Sequence, residues 1–104
     1  MTLSEITDTL GLREIVQCED REVTGAYVSD LLSDVVGNAR EGDVLITIQV
    51  HKNLVAVASL VGLNAVIITH GRTPEDDVCA AARENDIAVL STEESSFTVA
   101  GKLY

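Results

Sequence analysis

The basic side chains are the residues of this chain that are best suited to bind a ligand. The chain has 104 residues and contains only seven lysines and arginines against 17 acidic residues. A cation beside free backbone N–H groups can bind a phosphate or carboxylate group. Lys52 stands between His51 and Asn53, directly before an apolar run that is typical of a helix. Arg21 and Arg72 stand in two other polar segments. These residues predict a site for a small anion if the fold brings them together.

The sequence lacks the patterns that indicate catalysis or a bound cofactor. The glycine-containing segment 37–42 precedes a strand and has neither the lysine nor the hydroxyl of a phosphate-binding loop, and no GxGxxG occurs. His51 and His70 are far apart and show no metal-ligand spacing. No serine stands in a nucleophile elbow. We therefore expect a protein that is not an enzyme and that needs neither metal nor cofactor.

Composition restricts the class of partner and the location. A net charge of −10 disfavours nucleic acid and membrane surfaces, both of which require a basic patch. The hydrophobic fraction of 46% is enough to build a core. Cys18 and Cys79 show no CxxC spacing, and no signal sequence is visible, so we expect a cytoplasmic protein with reduced thiols.

Hydrophobic periodicity predicts a single α/β domain over residues 1–104. Apolar runs typical of buried strands alternate with helical patterns between Val44 and Leu90, which predicts a mainly parallel central sheet with helices on both faces. The strands are predicted at 14–18, 43–50, 65–69 and 87–90, and the helices at 2–10, 53–61, 73–85 and 91–102.

The segment between Asp20 and Asn38 is harder to assign. Residues 23–27 fit either a short edge strand or an extended entry to a helix. Apolar residues then recur at helical spacing, which predicts one buried stripe. That stripe comprises Val28, Leu31, Leu32, Val35 and Val36.

The ligand site is predicted at the carboxyl ends of the strands, where ligands bind in open α/β sheets. The candidate residues follow the predicted strands or lie in the loop after the first of them. They are Asp20, Arg21, Thr24, Gln49, His51, Lys52, Asn53, His70, Arg72 and Ser91. Two alternatives stay open: the basic residues can simply pair with neighbouring carboxylates, and Asp20 and Thr24 can simply shape a turn.

The helix that begins near Lys52 is the best anion acceptor among the predicted helices. The helix after Pro74 carries acidic residues in its first turn, and the predicted start of the last helix includes Glu93 and Glu94. Acidic residues there already neutralise the positive end of the helix dipole. His51, Lys52 and Asn53 are therefore the predicted donors.

The segment Asn53–Val61 is apolar on nearly every side, whereas a surface helix has a polar outer face. Two or three exposed valines or leucines would each forgo about 1.5–3 kcal/mol. Burial against a second copy of the chain would remove that cost, so a homodimer is predicted. Coverage by the first or last helix of the same chain is the alternative.

The sequence resembles the DRTGG domain family over essentially its whole length. The matching residues are Asp20-Arg21, Thr24-Gly25, 27–33, 42–44, 46–47, 55–58, 91–92 and 95–96. The resemblance implies a fold similar to the N-terminal domain of HPr kinase. It also implies a regulatory domain that dimerises and that, in pyrophosphatases with CBS domains, belongs to a region responding to adenine nucleotides.

Two functions follow as hypotheses. The first is a non-catalytic, homodimeric ligand-sensing domain that binds an adenine nucleotide or another small anion at the carboxyl edge of the sheet. The alternative is a protein-interaction subunit that regulates another enzyme or a kinase and binds no small ligand.

Overall fold

A central sheet of five strands carries the structure, a computed structural model that describes all residues from Met1 to Tyr104. The strands are β1 (Arg13–Val16), β2 (Gly25–Val28), β3 (Asp43–Thr47), β4 (Ala65–Ile68) and β5 (Ala88–Ser91). The helices are α1 (Leu3–Leu10), α2 (Leu32–Asn38), α3 (Asn53–Val61), α4 (Asp76–Glu84) and α5 (Ser96–Leu103). The sheet order is β1-β5-β4-β3-β2, and every neighbouring pair is parallel except β1 with β5. The predicted fold class is confirmed.

Both faces of the sheet are covered. Successive strand residues point to opposite faces, so Leu45 packs in one core and Val44 in the other. The helices α2, α3 and α4 cover the first face, and α1 and α5 cover the second. Every residue of β3, β4 and β5 is buried as a result, which is why these strands read as continuous apolar runs.

Local signals fix the ends of α1 and α3. The Thr2 hydroxyl accepts the N–H of Glu5 while the Glu5 carboxylate accepts the N–H of Thr2, which completes the predicted capping box. Gly11 and Gly62 end the two helices in the left-handed conformation that glycine adopts without strain.

The predicted helical stripe from Val28 to Val36 is wrong in its first half. Val28 belongs to β2, which pairs with β3 as an edge strand, and the helix begins only at Leu32. Pairing with β3 satisfies backbone groups that a longer helix would have left beside a bare sheet edge. Only Val35 of the stripe is fully buried, whereas Val28, Leu31 and Val36 are exposed.

The last two helices begin later than predicted. The N-cap residue of α4 is Glu75, not Thr73. Ser91 belongs to β5, and α5 begins after Ser95, whose hydroxyl accepts the N–H of Thr98. The first turn of α5 therefore contains no acidic residue, so the exclusion of this helix end on account of Glu93 and Glu94 was wrong.

The outer side of α3 is less exposed than its composition suggested. Val57 and Val61 are half-buried and pack against the core of the face that α2 shares with α3. Leu60 is the only large apolar side chain of this helix that is exposed, at 74%. The neighbouring helices of α3 are α2 and α4, and not the first or last helix.

None of the five helices is both long enough and apolar enough to cross a membrane.

Candidate functional site: a polar cleft at the carboxyl edge of the sheet

The ends of the parallel strands form a carboxyl edge and an amino edge of the sheet, and the predicted site residues divide between them. Residues after β3 and β4 and at the end of β5 lie at the carboxyl edge; they are Gln49, His51, Lys52, Asn53, His70, Arg72 and Ser91. Asp20, Arg21 and Thr24 lie at the opposite, amino edge, so their predicted place at the carboxyl edge was wrong. The reason is the direction of β1: this strand runs antiparallel to β5, and the chain therefore leaves it at the amino edge.

At the amino edge these three residues hold the fold together. The Asp20 carboxylate accepts the N–H and the hydroxyl of Ser4, at 2.9 and 3.0 Å, on the first turn of α1. The Arg21 guanidinium pairs with the carboxylate of Asp86 and also donates to its carbonyl at 3.2 Å. Thr24 packs against Gly42 in the turn before β3. Each contact joins segments that are distant in the chain.

The start of α3 is already supplied with acceptors from within the chain. The Nδ1 atom of His51 accepts the N–H of Asn53 at 3.1 Å, and the His51 carbonyl accepts the N–H of Leu54 at 2.9 Å. The Gln49 side chain in turn accepts the N–H of His51 at 3.0 Å. This terminus is less open to an anion than the sequence suggested, and Lys52 remains there without an ion-pair partner.

Asp30, which the sequence analysis passed over, organises the neighbouring loop. Its Oδ1 atom accepts the hydroxyl of Thr47 at 2.9 Å and the N–H of Ile48 at 2.8 Å. The Gln49 amide donates to the Asp30 carbonyl at 3.3 Å. These bonds end β3 at Thr47, three residues before the predicted end.

His70 joins the loop after β4 to the loop after β5. Its backbone is in the left-handed region, with a φ of 62°, and its N–H donates to the Glu94 carbonyl at 2.8 Å. Its Nε2 atom accepts the N–H of Ser96, the first residue of α5, at 3.3 Å. The next residue, Gly71, donates its N–H to the Thr92 carbonyl at 2.9 Å. The two loops therefore form one fixed wall.

A polar cleft of about 300 Å³ lies against this wall, at the ends of β4 and β5 and the start of β1. Arg72, Ser91 and Thr92 line it, as does Arg13, which the sequence analysis missed. Arg13 stands opposite Ser91 in the antiparallel pair, so the first residue of β1 reaches the carboxyl edge. Only the antiparallel direction of β1 could have revealed it, and no local signal sets that direction.

The cleft combines arginine side chains that have no ion-pair partner with carboxylates that can accept hydrogen bonds. Neither Arg13 nor Arg72 makes an ion pair, although the chain contains 17 acidic residues. Glu93 and Glu94 also line the cleft; Glu94 is paired with Lys102 at 2.8 Å, and the Glu93 carboxylate lies against Gly71. Arginines can hold phosphate oxygens while a carboxylate accepts hydroxyl groups of a sugar. The arrangement suits a ligand that carries both kinds of group.

The clearly displaced pKa values belong to structural contacts outside this cleft. Hydrogen bonds from the backbone of Ser4 lower the pKa of Asp20, and those from Thr2 lower the pKa of Glu5. Burial, followed by the neighbouring Asp86 carboxylate, raises the pKa of the Cys18 thiol to about 11, which disfavours its nucleophilic form. No group of three His, Cys, Asp or Glu residues is arranged to hold a metal ion.

The family assignment follows from a sequence comparison: the family model described as the DRTGG domain matches residues 5–104. The chain belongs to the DRTGG domain family. The residue pairs Asp20-Arg21 and Thr24-Gly25, which are among those that suggested the resemblance, lie at the amino edge in the structure. No curated protein matches this DRTGG domain.

A solved structure supports the fold of this DRTGG domain. It contains the CBS and DRTGG domains of the regulatory region of Clostridium perfringens pyrophosphatase, complexed with the activator diadenosine tetraphosphate. The identity is 25% and the TM-score is 0.82. The similarity covers 97% of the present chain and 45% of the clostridial one, so the present chain spans less than half of the protein that it matches.

Proposed function

We propose that this DRTGG domain is a non-catalytic, cytoplasmic regulatory domain that acts as a homodimer and senses an adenine nucleotide at the carboxyl edge of its sheet. The observation that carries the ligand proposal is the cleft in which Arg13 and Arg72 lie together without ion-pair partners. In open parallel sheets this edge is the usual location of ligand sites.

The acidic residues of the cleft favour a nucleotide over a bare anion. Glu93 and Glu94 can accept hydrogen bonds from ribose hydroxyls and an adenine amino group, and inorganic phosphate has neither of these donors. The clostridial regulatory region, of which 45% of the chain matches this domain, is complexed with diadenosine tetraphosphate. Family membership supports the regulatory role, and the absence of catalytic patterns from the sequence supports a domain without activity of its own.

Thermal unfolding with nucleotides tests the proposal. A ligand at 100 times its dissociation constant adds about 2.7 kcal/mol, which raises the Tm of a domain of this size by about 10 °C or more. We expect diadenosine tetraphosphate or ATP to raise the Tm of the unmodified protein, and inorganic phosphate to leave it unchanged. Arg72→Ala and Arg13→Ala should each remove most of the shift.

Arg83→Ala is the matched control, because Arg83 is an exposed and unpaired arginine at the end of α4, away from the cleft. It should keep the full shift. Lys52→Ala separates the cleft from the start of α3: loss of the shift in this variant alone would move the site there. If no adenine nucleotide shifts the Tm at millimolar concentration, the nucleotide proposal fails and the interaction-subunit hypothesis replaces it.

A further inference from the structure

The two outer strands of the sheet differ in their protection against pairing. An unpaired strand edge is a template for another strand, and proteins usually protect it with charges, prolines or bulges. β1 has such protection, because it contains Arg13 and Glu14 and an irregularity in register between Glu14 and Val16. β2, with the sequence Gly-Ala-Tyr-Val, has no charge, proline or bulge. The outer edge of β2 is therefore free to pair.

An apolar groove of about 470 Å³ runs beside β2, on the face that α1 and α5 cover only in part. Its apolar lining includes Ile6, Ala26, Val28, Ile46, Ala100 and Leu103. No Asp, Glu, Lys or Arg side chain lines it, in a chain with 24 such residues, 17 of them acidic. Val28 remains 51% exposed at its rim.

The outer side of α5 continues this apolar surface. Phe97 is 88% exposed and shares a helical face with Ala100, Gly101 and Tyr104, since residues three and four apart are neighbours on a helix. Gly101 lies inside the helix, where glycine is unfavourable, and a Cβ built on it would meet no atom within 4 Å. Nothing within the chain requires a glycine there, and a position without a side chain lets a second polypeptide approach the helix closely.

We infer that the β2 edge, the groove and the Phe97 face of α5 together form the contact between two copies of the chain. Two β2 strands pair antiparallel across a two-fold axis, which joins two five-stranded sheets into one. Charge favours the groove: each copy carries a net charge of −10, so two copies approach most easily along a groove that no charged side chain lines. A stable interface buries about 800 Å² on each partner, roughly a seventh of the accessible surface of 5572 Å².

This inference rests on the homodimer of the proposed function and locates its interface. Sedimentation at micromolar protein should give twice the single-chain mass of 11.1 kDa for the unmodified protein. Phe97→Glu and Val28→Glu place a carboxylate on the surface of each copy, and both should sediment as monomers. Leu60→Glu is the matched control, because Leu60 is equally apolar and is 74% exposed on α3; it should remain a dimer.

The outcomes separate the dimer from its interface. An unmodified protein that stays monomeric overturns both. A dimer that survives Phe97→Glu and Val28→Glu, or one that Leu60→Glu dissociates, overturns the β2 interface alone. Hydrogen exchange on the unmodified protein decides the matter without a variant: β2 amides should exchange more slowly as protein concentration rises, and exchange that is independent of concentration contradicts the inference.

Discussion

The carboxylate of Asp20 accepts the N–H and the hydroxyl of Ser4 at the start of α1. The backbone hydrogen bond is the main reason that the pKa of Asp20 lies below its ordinary value of 3.8. A carboxyl group with a lowered pKa in the folded state contributes stability above the ordinary pKa and loses it as the pH falls through the lowered one. Asp20→Ala should therefore lower the Tm at neutral pH, and the difference from the unmodified protein should shrink below pH 3.8.

Thermal unfolding monitored by circular dichroism from neutral to strongly acidic pH measures this difference. Glu19→Ala is the control, since it removes an adjacent exposed carboxylate that makes no hydrogen bond, and it should change the Tm little. A Tm difference for Asp20→Ala that stays constant over the whole pH range would contradict the linkage.

Among the elements, the turn from α2 into β3 depends on one residue, Gly42. Gly42 has a φ of 87°, and a Cβ built on it would overlap the Thr24 hydroxyl. Gly42→Ala should lower the free energy of unfolding by at least about 1 kcal/mol, because it combines an unfavourable backbone conformation with that overlap. Urea unfolding measures the loss.

A second substitution separates the two causes. Thr24→Ala in the Gly42→Ala background should restore the part due to overlap and leave the part due to the backbone. Gly37→Ala is the control: Gly37 lies in α2 with no atom within 4 Å of a built Cβ, so alanine should stabilise that helix by about 0.5–1 kcal/mol. Equal effects at positions 42 and 37 would show that the turn does not require glycine.

At the scale of the whole molecule, the net charge of −10 opposes self-association. Salt screens that repulsion, with a Debye length of about 10 Å at 0.1 M. The dimer should therefore tighten by severalfold between low and moderate salt, whereas nucleotide binding at Arg13 and Arg72 should weaken. Sedimentation and thermal unfolding at two sodium chloride concentrations measure the two trends, and a dimer that weakens with salt would point to an interface made of ion pairs.

Much of the architecture could be predicted because its signals are local. The continuous apolar runs at β3 and β4, the capping box at Thr2 and the terminating glycines at 11 and 62 each depend on neighbours a few residues away. The element boundaries that were predicted wrongly depend on strand partners that are distant in the chain. Val28 fits a helical stripe, but pairing with β3 draws it into a strand. Glu93 precedes α5 because β5 extends to Ser91 beside β4 and β1.

The candidate site could be predicted only in part for the same reason. The sequence by itself determined that Gln49, His51, His70 and Arg72 follow parallel strands, which places them at one edge. The antiparallel direction of β1 was decided by tertiary structure, and it exchanged the residues at its two ends: Arg13 joined the cleft, while Asp20 and Arg21 went to the opposite edge. Strand direction depends on the pairing of residues far apart in the chain, such as Arg13 with Ser91, and so no local pattern encodes it.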